Sequence, residues 1–357
     1  MTPRFHSLSV ADVRRETPDA VSVAFDVPAA LAADYAFAPG QYLTLRTTID
    51  GEEIRRSYSI CSGLDDGELR IAIRRNPGGI FSNWMNECLR AGDAIDVMTP
   101  TGRFGTAIQP AHARTHLAIA AGAGITPVIS ILRSVLRREK GSRFVLLYGS
   151  RTTEDILFRD ALAELKDRHM ARLSIVHVLS REEQDLSVLT GRLDGERVRA
   201  LLATRMRGIS IDAAYVCGPE AMLEESVAAL RDFGLDAARI HTERFVSALG
   251  GRPRAAPAPV PDAAPLAVAT LRVDGRVREV AVAAGEAVLD AALRAGLDMP
   301  FACKGGMCST CRARLTEGRV EMAVNYALED WELAAGFVLT CQARPVTERV
   351  ALDYDQV

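Results

Sequence analysis

Cys303, Cys308 and Cys311 form C-x4-C-x2-C, and Cys341 follows after 29 further residues. Four thiolates so spaced suit a plant-type 2Fe-2S cluster, three converging from one tight loop and the fourth arriving from a distant segment. Gly305 and Gly306 would let backbone amides turn towards the cluster sulfur. A zinc site or unrelated buried cysteines are the other readings, although zinc motifs usually pair C-x2-C with a second close pair, which is absent.

Two further patterns suit nucleotide cofactors. Arg56-Ser57-Tyr58-Ser59 reads as strand, so residues 56 and 58 share a face and set a guanidinium beside an aromatic ring. A flavin nucleotide uses such a pair, the cation for phosphate and the ring for the isoalloxazine. Gly78-Gly79-Ile80-Phe81-Ser82 could open a helix whose free amides, with the Ser82 hydroxyl, hold a pyrophosphate. An ordinary strand and an ordinary turn explain either motif taken alone. HLAIAAGAGITP is a strand running into Gly122-Ala123-Gly124. Thr126 is expected as the helix N-cap and Pro127 at the first helical position, which again suits a pyrophosphate. A plain strand-turn-helix joint has the same pattern. Cys217-Gly218-Pro219 closes the strand AAYV, where Cys217 alone would be a buried structural thiol. Arg151 follows FVLLYGS, and Ser180-Arg181 ends LSIVHVL. No Asp or Glu ends either strand to claim a ribose 2′-hydroxyl, which favours NADPH, with NADH still possible. A solvated surface arginine is the plain reading of both.

These residues need three kinds of scaffold. Residues 1–106 read as short alternating strands punctuated by turn residues, the pattern of a small antiparallel β-barrel. Residues 107–246 alternate apolar strands with helices, which implies a parallel α/β domain. Residues 247–265 hold 5 prolines in 19 positions and read as a semi-extended linker. Residues 266–357 open with the hairpin TLRVDGRVREVAV, turned at Asp274-Gly275, then a helix near Glu286 to Arg294 and the cysteine loop.

At 357 residues the chain needs several cores. Its net charge of -3 argues against nucleic acid or an anionic membrane as partner. The acidity is local: residues 266–357 carry 10 Lys and Arg against 13 Asp and Glu, and the remainder is balanced. The longest uncharged apolar stretch, Leu117 to Leu132, is shorter than a membrane span and broken by Gly122, Gly124 and Pro127. No apolar segment follows the first basic residues, so a cytoplasmic location is expected, where patterned cysteines suggest cluster ligation before disulfides.

In this order the motifs resemble the ferredoxin-NADP reductase family, and CKGGMCSTC resembles plant-type ferredoxins, so that the resemblance spans essentially the whole chain. It implies a multidomain α/β plus β fold: an antiparallel flavin-binding β-barrel, a parallel α/β nucleotide-binding domain and a C-terminal β-grasp ferredoxin domain. It further implies FAD held at its phosphates by Arg56 and by Gly78, Gly79 and Ser82, with Tyr58 stacked on the flavin and Ser59 at its N5 edge. Cys217 would lie beside the nicotinamide near the hydride path, and Arg181, with Arg151 as second candidate, would meet the 2′-phosphate. Phe245, closing the second domain, is a positional candidate for packing near the flavin.

Among such reductases, FHSLSVADVRRET, EIRRSYSIC, HTERF, FACKGGMCSTC and NYALEDWELAAGFVLTCQA resemble the reductase components of ring-epoxidising complexes. That implies a di-iron oxygenase as electron acceptor. Glu329, Asp330 and Glu332 are candidates for an acidic docking face, or an ordinary solvated helix. A reductase serving another oxygenase or a hybrid-cluster protein, and a flavin and cluster redox sensor without steady turnover, are the rival readings.

Overall fold

The computed structural model describes residues 4–245, 267–328 and 330–356; the proline-rich segment 247–265 lies outside them. The first sheet is built from β1 (Phe5–Thr17), β2 (Ala20–Asp26), β3 (Tyr42–Ile49), β4 (Glu52–Ser59), β5 (Leu69–Arg74) and β6 (Ala94–Met98), in the order β4-β3-β6-β1-β2-β5. An Ile60–Ile71 bridge joins the two edges, so the antiparallel sheet closes on itself and leaves no unpaired edge there. Leu43, Leu45, Val23, Ile71 and Ile73 alternate into its core. In this sheet only β1 is not legible from the sequence. Its stretch ADVRRET is dominated by polar side chains, and its register with β2 shifts between Val10 and Asp12 and again between Arg15 and Thr17, which breaks the two-residue period.

The second sheet is parallel: β7 (Thr115–Ala121), β8 (Arg143–Ser150), β9 (Leu173–Leu179), β10 (Ala213–Gly218) and β11 (Ile240–Arg244), in the order β11-β10-β7-β8-β9. Helices cover both faces. α2 (Ile125–Arg138) and α3 (Arg159–Arg168) pack on one side, α4 (Gly195–Arg205) and α5 (Glu220–Asp232) on the other, while α1 (Ile80–Glu87) belongs to the barrel. Burial on both faces explains why the central strands read as unbroken apolar runs: Leu117 to Ala120 of β7 are all fully buried. The chain winds outward from β7 through β8 to β9, then returns to β10 on the other side of β7. That reversal is a topological switch point, where crevices open at the carboxyl ends of strands.

Two expectations are corrected here. Thr126 is not the N-cap of α2, and Pro127 is its third residue rather than its first. Gly122–Gly124 forms a 3-10 turn, Gly124 occupies the cap position, and Ile125 begins the helix. Thr126 and Pro127 are buried inside the first turn, and the Thr126 hydroxyl donates to the Ala123 carbonyl at 2.9 Å. The tight turn replaces a side-chain cap, because glycine can enter the helix directly from β7.

The third sheet, β13-β12-β18-β14-β16, comprises β12 (Ala267–Val273), β13 (Arg276–Val282), β14 (Arg312–Glu317), β16 (Phe337–Leu339) and β18 (Arg349–Asp353), with β15 (Val320–Met322) pairing β17 (Ala343–Pro345) beside it. Asp274 and Gly275 both have positive φ, 50° and 71°, as a two-residue hairpin turn requires. α6 (Val288–Arg294) packs its apolar face on this sheet, and a short α7 (Asp330–Ala334) precedes β16. Among the described residues no helix is long and apolar enough to cross a membrane.

Candidate functional site

Three groups of side chains stand at the junctions of these sheets. In the barrel, β4 carries Arg56 exposed at its surface, while the Tyr58 ring stacks with Phe81 of α1, centroids 6.0 Å apart. That contact brings the arginine strand and the glycine turn together. Gly78 has φ 74°, and a Cβ on Gly79 would meet the Ser82 hydroxyl at 2.7 Å, so the turn needs both glycines. Ser82 Oγ accepts from the Asn76 amide at 3.1 Å. The turn therefore presents the first amides of α1, which no helical carbonyl can satisfy, to an anion. Cation, flat ring and amide cradle on one rim fit a flavin dinucleotide.

In the second domain, the turns after β7 and β10 flank the switch point. They are so close that a Cβ on Gly124 would lie 2.1 Å from the Cys217 carbonyl oxygen. Gly122 adopts φ 54°, and a Cβ on Gly218 would strike Met222 at 2.7 Å; Pro219 caps α5. The Cys217 thiol is fully buried, and loss of water pushes it well above its ordinary range. The two arginine candidates also meet: the Arg181 amide donates to the Arg151 carbonyl at 2.7 Å, and the Ser180 amide to the Ser150 carbonyl at 3.0 Å. Both arginines are exposed at the carboxyl ends of β9 and β8, and Arg151 lies 3.9 Å from Asp19.

A residue that no motif singled out joins these two groups. Glu243 pairs with Cys217 across β11 and β10, and its carboxyl receives a hydrogen bond from the Ser59 hydroxyl at 3.2 Å. Removal from water raises that carboxyl to about 8, against a smaller opposing effect of Ser59, so it holds a proton at neutral pH. Ser59, Glu243 and Cys217 thus converge between the flavin barrel and the nicotinamide turns. No spacing rule could have found Glu243, since its partners come from distant strands. Phe245 lies two residues further on, 36% exposed.

In the third domain the cysteines gather as two pairs. Cys303 and Cys308 interact through their thiols, as do Cys311 and Cys341. The Gly305 amide donates to Cys303 Sγ at 3.3 Å, the Cys303 amide to Cys308 Sγ at 3.4 Å, and Gln342 reaches Cys341 Sγ at 3.5 Å. The Cys308 thiol and the surrounding amides draw Cys303 towards thiolate. Among the described residues no three acidic, histidine or cysteine side chains converge as a single metal ion would need. Two thiol pairs fit one iron each of a two-iron cluster, with amides aimed at sulfur to tune it.

The cluster loop faces the barrel. Tyr42 of β3 donates to the Cys308 carbonyl and lies 2.9 Å from the Thr310 hydroxyl. Arg55 stacks on Phe301 at 4.1 Å and lies 3.6 Å from Asp298. Here the acidic docking face needs correction. Glu332 is 2% exposed, held by Arg103 of the barrel at 2.6 Å and by Arg312 of its own domain. Two facing guanidiniums draw it inward, so it is an internal strut. Glu329 lies outside the described residues.

The arrangement defines an iron-sulfur flavin oxidoreductase. The oxidoreductase FAD-binding domain family matches residues 7–105, the oxidoreductase NAD-binding domain family residues 118–227, and the 2Fe-2S iron-sulfur cluster binding domain family residues 271–346. The chain belongs to the family of FAD- and NAD(P)H-dependent reductases that carry a 2Fe-2S domain. It is 45% identical over 352 residues to a component chain of the 1,2-phenylacetyl-CoA epoxidase of Escherichia coli (strain K12), covering 98% of each chain. It is 34% identical to the ferredoxin reductase component of 3-ketosteroid-9-alpha-monooxygenase of Rhodococcus rhodochrous, over 97% of this chain and 96% of that one. Phthalate dioxygenase reductase shares its fold over 98% of both chains, with a TM-score of 0.59 and 22% identity.

Proposed function

We propose that this chain is the reductase component of a 1,2-phenylacetyl-CoA epoxidase in phenylacetate breakdown, moving electrons from NADPH to a di-iron oxygenase. The observation that carries this reading is the 45% identity running the full length of the Escherichia coli relative. The 34% identity to a steroid monooxygenase reductase favours, as second reading, the same chemistry for another oxygenase. Neither calls for a nucleic-acid or membrane partner, and the reducing cytoplasm suits four cysteines kept as thiols.

When bound, FAD would supply hydride acceptance and single-electron release, and the cluster one-electron relay. The chain's own residues do the rest. Arg56, the turn at Gly78 and Gly79, and the first turn of α1 with Ser82 would hold the flavin phosphates, with Ser57 on the same strand and Tyr58 supplying a flat face. Gly122, Gly124, Thr126 and Pro127 shape the turn that admits the nicotinamide pyrophosphate. Cys217, Gly218 and Pro219 wall the nicotinamide slot. Ser59 orients the flavin edge and shares a proton with Glu243. Arg181, Arg151 and Ser180 receive the 2′-phosphate, and Phe245 closes the flavin side. Cys303, Cys308, Cys311 and Cys341 ligate the iron.

Oxygen uptake by the reductase mixed with a phenylacetyl-CoA epoxidase oxygenase component tests the reading. NADPH oxidation that requires phenylacetyl-CoA supports it. Turnover with artificial acceptors but no coupling would leave a reductase for another acceptor.

A further inference from the structure

Tyr42 spans the space between the two redox sites. It pairs directly with Ser59 across β3 and β4, and directly opposed residues of an antiparallel pair point to one face. The next pair on that face, Thr44 and Ser57, touches hydroxyl to hydroxyl at 3.0 Å. The Tyr42 ring is 6% exposed, and its hydroxyl leaves the barrel to meet the Cys308 carbonyl and Thr310. Both belong to the loop that carries three of the four cluster cysteines. With its one proton directed at the carbonyl, the phenol accepts from Thr310.

The barrel holds this ring in place. The Tyr42 amide and carbonyl exchange hydrogen bonds with Thr101 at 2.8 and 3.0 Å. Gly102 leaves room for the ring: a Cβ there would come within 2.9 Å of it. The other bridges from the barrel run through arginines and fall outside the cysteine loop: Arg4–Asp274, Arg55–Asp298 and Arg103–Glu332 are ion pairs, and Arg55 also donates to the Met299 carbonyl at 3.4 Å and stacks on Phe301. Tyr42 makes a dry contact with the cysteine loop itself.

We propose that Tyr42 is a positioning residue for electron transfer, seating the cluster loop on the flavin side of the barrel and thereby setting the coupling between flavin and cluster. The inference rests on the reading in which the flavin edge lies along Ser59. In the step it serves, one electron leaves the reduced flavin and enters the oxidised cluster. No bond to Tyr42 forms or breaks, and its proton stays on oxygen.

The test is single turnover of the holoenzyme with NADPH, following flavin bleaching and cluster reduction separately, with visible circular dichroism of the oxidised cluster alongside. Tyr42→Phe keeps the ring and loses the hydroxyl. It should leave flavin bleaching unchanged, slow cluster reduction by about three- to tenfold, as expected for one lost hydrogen bond, and alter the cluster dichroism. Tyr42→Leu, which also loses the ring, should slow it further. Reduction of a small oxidant that draws directly on the flavin should match wild type in both. Cluster reduction at the wild-type rate in both variants, with unchanged dichroism, would overturn the proposal. Equal slowing of flavin bleaching would also overturn it, by making Tyr42 part of the flavin site. None of these readouts needs the oxygenase, so the acceptor can be misassigned without affecting the result.

Discussion

The Ser59 hydroxyl donates to the Glu243 carboxyl at 3.2 Å across 184 residues of sequence, tying the flavin barrel to the edge strand of the nicotinamide domain. Ser59 is 3% exposed, and the exclusion of water around this contact leaves Glu243 protonated where most glutamates are charged.

Glu243 should give stability a recognisable pH dependence. Its carboxyl titrates at about 8 in the folded chain against 4.5 ordinarily, so between those values the folded state binds more protons than the unfolded one. Stability from this group is therefore complete below pH 4.5 and is lost as pH rises through about 8. Glu243→Gln, neutral at every pH, should flatten this part of the curve. Thermal unfolding midpoints from pH 5 to 9 check it, and parallel curves for the two proteins would count against a half-buried, protonated Glu243.

Gly124 is where the two nicotinamide turns come closest. Gly124→Ala would place a methyl 2.1 Å from the Cys217 carbonyl, and the strands must part to admit it. Overpacking of this kind costs about 1–3 kcal/mol. Urea unfolding should show that loss, together with a raised KM for both nicotinamide nucleotides. An unperturbed variant would mean that the turn yields freely.

The backbones of Arg181 and Arg151 meet at adjacent strand ends, which sets both side by side at the place proposed for the 2′-phosphate. Arg181→Ala should raise the KM for NADPH by roughly tenfold, the scale of one lost charge-assisted hydrogen bond, and leave NADH nearly unchanged. Arg151→Ala should do the same more weakly, because Asp19 already draws on its charge. Steady-state kinetics with both nucleotides decide it; equal effects on both would remove these residues from the 2′-phosphate.

Glu332 compensates Arg312, whose side chain is 8% exposed. Glu332→Ala would leave that guanidinium buried without its partner, a change costing about 3–5 kcal/mol. Guanidinium titration read by the cluster's visible absorbance should show early loss of the third domain while flavin absorbance persists. Unfolding at the wild-type midpoint would make Glu332 a surface acid after all.

The cofactor motifs were legible in the sequence because each is short and continuous. A glycine turn followed by a helix start presents its amides whatever surrounds it, so Gly78-Gly79 and Gly122 to Gly124 are compatible with phosphate binding, and their order along the chain is what gave them meaning. The C-x4-C-x2-C loop likewise carries three cluster ligands within nine residues. Alternation marked β3 to β6, and unbroken apolar runs marked β7, β8 and β10. The same local signals misled at Thr126, where a residue type suited to capping sits inside the helix because the glycines before it had already made the turn. They misled again at Glu332, whose charge suggested solvent.

Residue types and spacing therefore determined the cluster cysteines, the order of the sites and the three kinds of scaffold, and the flavin and nicotinamide cofactors followed from the resemblance those motifs carry in that order. Tertiary structure decided which distant residues face one another: Ser59 and Glu243, Tyr42 and the loop at Cys308, Arg103 and Glu332. The physical reason is that these contacts depend on strand register and on how separate cores pack, and both arise from the sum of many apolar contacts across the fold. The environment set by that packing fixes the protonation of Glu243 and the burial of Glu332, and no stretch of contiguous residues encodes it.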